Sequence, residues 1–169
     1  MKKTLTTIAL TLTLVGAASL AWAEKAVVVP QSGAPLSVLI YEAEYGNKAD
    51  KARVVHTVKY QNVSDKKVLS ARFGFIELNG YNDRLDSFIG YTLEDSKVGE
   101  KDKVKFINEA PHAAFFKRYG TAYLWVDAVR YADGSIWKAN KAELLKELKN
   151  ELSGVTDADL QEKKSLMED

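Results

Sequence analysis

The sequence predicts an all-β protein, an antiparallel sandwich followed by a C-terminal amphipathic helix. Three observations carry this reading. Between Tyr41 and Trp137 apolar and polar residues alternate in short runs, the period of a half-buried strand. Turn clusters divide those runs, two of them with glycine after Asn or Asp: Asn79-Gly80 and Asp133-Gly134. After Asn140 the apolar residues recur at helical spacing instead. Every aromatic residue beyond Trp22 also falls between Tyr41 and Trp137, which places the aromatic core in that block.

The first segment reads as an export signal and not as part of the fold. Met1-Lys2-Lys3 is a short basic start, and Leu5 to Ala23 carries no charge. The run closes on Ala21-Trp22-Ala23, the small-x-small pattern of a signal-peptidase site. Its length is also close to that of a membrane span. Four threonines dilute it, however (Thr6, Thr7, Thr11 and Thr13), and the cleavage pattern is in place. The expectation is cleavage after Ala23, giving a periplasmic or secreted chain beginning at Glu24 with no stable membrane anchor. Residues 1–23 are the signal peptide, 24–139 the sandwich, and 140–169 the helix with a polar tail.

Within the sandwich, Lys25 to Pro30 and Leu36 to Tyr45 are the first extended segments. Ala49-Asp50-Lys51 is a polar break. Arg53 to Asn62 then alternates Val54, His56, Val58 and Tyr60 against Val55, Thr57, Lys59 and Gln61. Ser64-Asp65-Lys66-Lys67 is a turn. Val68 to Leu78 sets Leu69, Ala71, Phe73 and Phe75 on one face, and Asn79-Gly80 turns the chain through residues that tolerate positive φ. Leu85 to Leu93 is extended, Glu94 to Lys103 polar, and Val104 with Phe106 marks a short strand. The last hairpin runs from Thr121 to Lys138 through Asp133-Gly134. A two-residue turn there faces Tyr131 with Ile136 and Arg130 with Trp137. Asn140 is the helix N-cap, with Glu143 three residues on, and Ala142, Leu144, Leu145, Leu148 and Leu152 form the stripe. Gly154 stops the helix. Thr156-Asp157-Ala158-Asp159 offers caps for a second one, but its polarity predicts fraying.

Composition excludes several function classes. With no cysteine among 169 residues there is no disulfide, thiolate metal site or thiol nucleophile, and no lipid attachment at the cleavage site. The formal charge is +1, and loss of Lys2 and Lys3 takes it to −1. That balance gives no basic stripe for nucleic acid, and none is expected as a partner.

Tyr60-Gln61-Asn62-Val63-Ser64-Asp65-Lys66-Lys67-Val68, leading into Phe73-Gly74-Phe75, resembles immunoglobulin-like domains of secreted and periplasmic bacterial proteins, the FxLYD type among them. The resemblance implies an immunoglobulin-like sandwich acting as a binding or accessory module, and it supplies no catalytic residue. Where that family places an acid before the glycine, this chain has Asn79-Gly80. Asn62-Val63-Ser64 also matches a glycosylation acceptor and is read as a turn.

Catalytic and metal constellations are weak. The two histidines, His56 and His112, have no paired ligand spacing, and no nucleophile elbow or phosphate-cradling loop is present. His56 on an apolar strand face reads as structural, and the acids Asp83, Asp86, Glu94 and Asp95 read as solvated. No cofactor or metal is expected. One segment stands out: Phe115, Phe116, Lys117, Arg118 and Tyr119 combine aromatics and cations, the residue types of binding hot spots. The competing reading has the phenylalanines plugging the sandwich end and the cations solvated. The functional expectation is an exported cell-envelope module contacting a protein or small ligand. A small periplasmic hydrolase or metal-dependent enzyme, assembled only in the fold, is the alternative.

Overall fold

A computed structural model describes residues 25–48, 51–110 and 119–169. Two β-sheets stack face to face. The larger sheet takes β1 (Lys25–Val28), β7 (Tyr119–Tyr131), β4 (Val68–Asn79), β5 (Arg84–Thr92) and β9 (Ser165–Met167) in that order. A short β8 (Ile136–Lys138) pairs with the far end of β7. The smaller sheet is β2 (Leu36–Lys48), β3 (Lys51–Asn62) and β6 (Lys101–Glu109).

Alternation decides what each strand buries. Val54, Val58 and Tyr60 of β3 meet Phe73 and Phe75 of β4, Phe88 of β5 and Phe106 of β6 in one core cluster. Phe75 stacks on Phe88 with ring centroids 4.6 Å apart, and Phe106 meets Phe75 edge-on at 5.4 Å. Burying an aromatic side chain of this size is worth about 1.5–3 kcal/mol, so these rings dominate the adhesion between the sheets.

The opposite face of the larger sheet is covered over half its length. Ile76 and Leu78 of β4 and Tyr123 and Trp125 of β7 pack beneath α1 (Lys141–Glu151), against Leu144 and Leu148, together with Leu152, Val155 and Leu160. Asn140 begins α1 by accepting from the N–H groups of Ala142 and Glu143. Trp125 lies flat on Gly74, where an added Cβ would sit 2.0 Å from the indole. Only glycine permits that approach.

Several expectations need correction. The sandwich is not wholly antiparallel: β1 pairs with β7, and β9 with β5, in parallel. The segment after the helix is not simply a polar tail. A 3-10 helix at Asp157–Leu160 is held by Asp159, whose carboxylate accepts from the Thr156 N–H and hydroxyl and pairs with Arg84. Its polarity makes local bonds where fraying was expected. Beyond it the chain closes the seam between the sheets. The Glu168 N–H donates to the Tyr91 carbonyl, and the Asp169 N–H to that of Lys105 on β6, both at 3.0 Å.

Two turns also differ. In the last hairpin Arg130 faces Ile136 and Val129 faces Trp137, one residue from the expected register. Asp133 accepts from the Ser135 N–H and Gly134 takes φ +84°, while the Tyr131 N–H reaches the Ser135 carbonyl. The loop therefore holds three residues, not two. At Asn79-Gly80 the positive φ falls on Asn82, because the Asn79 side chain organises the loop by accepting from Tyr81 and Asp83 N–H groups. The polar stretch ends sooner than expected, since β6 begins at Lys101.

Candidate functional site

A chain of polar side chains runs through one end of the core. His56 and Glu77, each fully buried, meet at 2.7 Å between Nε2 and Oε1. Tyr41 Oη lies 2.8 Å from His56 Nδ1. As a carboxylate Glu77 only accepts, so His56 Nε2 carries a proton and, in the neutral ring, Nδ1 accepts from the Tyr41 hydroxyl. Burial first, and the nearby Glu77 second, push the Tyr41 hydroxyl well above its ordinary pKa, which keeps that donor protonated. Asn108 Nδ2 donates to Glu77 Oε2 at 2.7 Å and to Asp86 Oδ2 at 3.0 Å. Lys164 completes the path. It donates to Asp86 Oδ2 at 3.0 Å and to Asn108 Oδ1, which fixes the orientation of the amide.

The path draws Tyr41, His56 and Asn108 from the smaller sheet, Glu77 and Asp86 from the larger, and Lys164 from the segment before β9. It reaches solvent only around Asp86 and Lys164, which are partly exposed. Rings seal the inner part: Phe75 and Phe88 lie 4.9 and 5.3 Å from the His56 ring. Each ring nitrogen of His56 and each carboxylate oxygen of Glu77 has a partner. The chemistry of the path is that of a polar clasp between two sheets. Asp86 is thus not the solvated carboxylate expected from sequence. Among the described residues no group of three or more His, Asp or Glu side chains could hold a metal ion.

Of the sequence-predicted site, Phe115, Phe116, Lys117 and Arg118 lie outside the described residues, as does His112. Tyr119 is described: it pairs with Asn79 and packs, half-buried, against the main core. At the other flank the Ala110 N–H donates to the Ala52 carbonyl at 2.9 Å. Both flanks therefore sit at the end of the sandwich that holds the polar clasp. The β4–β5 loop is at this end too, with Tyr81 67% exposed.

No family model matches the chain, and no curated protein or solved structure is significantly similar to it. Two hollows are prominent, and neither is walled by the clasp. A groove of roughly 610 Å³ separates the start of α1 from Pro30, Gln31 and Ser32. The Gln31 side chain holds that wall in place by pairing with both backbone groups of Val126. The second, of roughly 260 Å³, opens on the half of the larger sheet that α1 leaves bare, around Arg72, Arg130 and Lys138.

The clasp residues missed in the sequence had a shared signal. Glu77 follows Phe73 and Phe75 at the next inward position of β4, and Asn108 follows Val104 and Phe106 on β6. Asp86 precedes Phe88 in the same way. A polar residue continuing an inward apolar series, on three strands and at one end, marks a buried network. Asn62, in contrast, behaves as a turn residue: it is buried, donates to the Lys66 and Ser96 carbonyls, and accepts from Ser64.

Proposed function

We propose that the chain is an exported, non-catalytic binding or accessory module of the cell envelope. In this reading it is an immunoglobulin-like sandwich of the FxLYD kind, with an amphipathic C-terminal helix packed on its own sheet. The order in which the chain visits its sheets supports the fold assignment. A hairpin forms in one sheet and a hairpin in the other, then single strands return beside β3 and beside β4. The carrying observation for function is that Ala110 and Tyr119, the flanks of the aromatic and cationic segment, are anchored at one end of a rigid sandwich beside the exposed Tyr81. Binding residues are commonly displayed on such scaffold-end loops. The contact surface proposed is Phe115, Phe116, Lys117, Arg118 and Tyr119, and its partner an envelope protein or small ligand with an acidic group.

Crosslinking and pull-down from the native envelope identifies the partner. Arg118→Ala is then expected to weaken its binding by about 1–3 kcal/mol, the scale of a charged hydrogen bond, with the melting temperature unchanged. Unaltered binding by that variant sinks the contact assignment. Loss of several kcal/mol of stability in Phe115→Ala/Phe116→Ala assigns the pair to the core instead. Turnover on ester, phosphate or glycoside substrates that disappears in His112→Ala overturns the non-catalytic reading. A mature N-terminus other than Glu24 overturns the assigned cleavage site.

A further inference from the structure

We propose that the bare half of the larger sheet's outer face binds a small organic anion, a carboxylate or phosphate group joined to one flat apolar ring. This face lies over the Ser70–Arg130 and Arg72–Ala128 pairings, toward the opposite end of the sheet from Asn79–Tyr119, and the proposal is independent of the loop assigned above.

The hollow follows from the ladder. Lys138, Ala128, Arg72 and Tyr91 are register partners across β8, β7, β4 and β5, and Ile136, Arg130 and Ser70 form the next row. In each row a small residue stands among long ones, so Ala128 and Ser70 form a floor that the others overhang. Roughly 260 Å³ is the share of about eight or nine waters, room for one ring and one acid group.

The charge of the hollow is not cancelled. Arg72 is matched by Asp127 and, at 3.7 Å, by Glu162, and its guanidinium lies 5.8 Å from the Tyr91 ring centroid. Tyr91 is committed as well, donating to Glu162 at 2.9 Å. Arg130 and Lys138 form no ion pair with any described acid, and both are exposed. Two free cations flank Ile136, itself 59% exposed, so a charged head and an apolar surface stand side by side. The two oxygens of an acid group match the planar fork of Arg130, and Lys138 adds a point charge beside it.

The test is an amide NMR titration of the full mature chain with phenyl phosphate and with benzoate, using benzyl alcohol and benzylamine as uncharged and cationic controls. The proposal requires saturable shifts at Ser70, Ala128, Arg130 and Lys138 with at least one anion, weakening as salt is raised. The tighter of the two anions identifies the head group. Arg130→Glu/Lys138→Glu should bind that anion about tenfold more weakly or worse. Ala128→Leu, which fills the floor and leaves the charges in place, should also abolish binding, and it decides the matter if the double variant does not fold. The proposal is overturned if neither anion gives a saturable shift, if benzyl alcohol or benzylamine binds as tightly, or if a folded variant binds as the parent does.

Discussion

Replacing Glu77 with alanine tests the clasp directly. The carboxylate accepts from His56 Nε2 and from Asn108 Nδ2, each at 2.7 Å, and Glu77, His56 and Asn108 have no exposed surface. In Glu77→Ala the His56 Nε2–H and one of the two Asn108 Nδ2 hydrogens lose their acceptor, the other Asn108 hydrogen keeping Asp86. A buried group left without one costs about 1–3 kcal/mol, so two cost roughly 2–6, before the vacated volume is counted. A loss of about 3–5 kcal/mol is expected, which lowers the melting temperature by on the order of 6–20 °C in a domain of this size. Glu77→Gln is the informative companion. Its amide oxygen still accepts from His56, but its NH2 faces Asn108 Nδ2, donor against donor. Asn108 cannot turn over to relieve this, because Lys164 holds its oxygen. One broken link should cost roughly half as much as two, about 1–3 kcal/mol. Urea unfolding followed by circular dichroism, with an unchanged denaturant slope, gives both values. If Glu77→Ala lies within 1 kcal/mol of the parent, or if Glu77→Gln is the worse of the two, the reasoning fails.

Gly74→Ala drives a methyl into the Trp125 indole and should destabilise by about 1–3 kcal/mol with a change in tryptophan emission; a neutral effect would refute the packing of that ring. Removing residues 162–169 takes away Lys164, the Glu162–Tyr91 bonds and the Asp169 link to β6. Amides of β5 and β6 should then exchange faster with solvent, and unchanged protection would count against the tail as a seam. The Asp133 carboxyl is held far below its ordinary pKa by hydrogen bonds from Lys66 and Ser135. Its native value is depressed, so its contribution is complete above the ordinary carboxylate pKa and fades as pH falls through the lowered one. The urea midpoints of Asp133→Asn and parent should therefore differ most at neutral pH and converge in strong acid.

Sheet architecture was legible where alternation was clean. Val54 to Tyr60 and Ala71 to Phe75 announce their inward faces, although a bulge puts Val68 and not Leu69 in the core ahead of them, and Asn140 announces a helix start. Pairing partners were not legible, because alternation fixes a face and not a neighbour. Nothing local in Lys25–Val28 says that it lies parallel to β7, nearly a hundred residues on. The register of the last hairpin depended on one turn residue, Gly134, whose φ adds a third residue to the loop. The polar clasp was half visible. His56 reads as structural from its apolar strand face, but Glu77, Asn108 and Asp86 gain meaning only when three strands are brought to one end of the fold. The hollow over Ala128 and Ser70 has no sequence signature, since its shape comes from which strands are adjacent.

The parallel pairing of the outermost strands bears on the order in which the chain can fold. β4 and β5 form a local hairpin, and so do β2 and β3, but β1 has no partner until β7 has been made. β5 in turn keeps an open edge until β9 joins it, and Asp169 ties that same tail to Lys105 of the smaller sheet. Closing such distant contacts is slow, because the entropy of long loops is lost before any bond repays it. Until those contacts close, β4 and β5 can pair only with each other, which leaves both edges of that hairpin bare. For a chain built this way, the vulnerable interval is the one before its first and last strands arrive. Proteolysis and misassociation should concentrate there, while in the finished sheet β1 covers the edge of β7 and β9 that of β5.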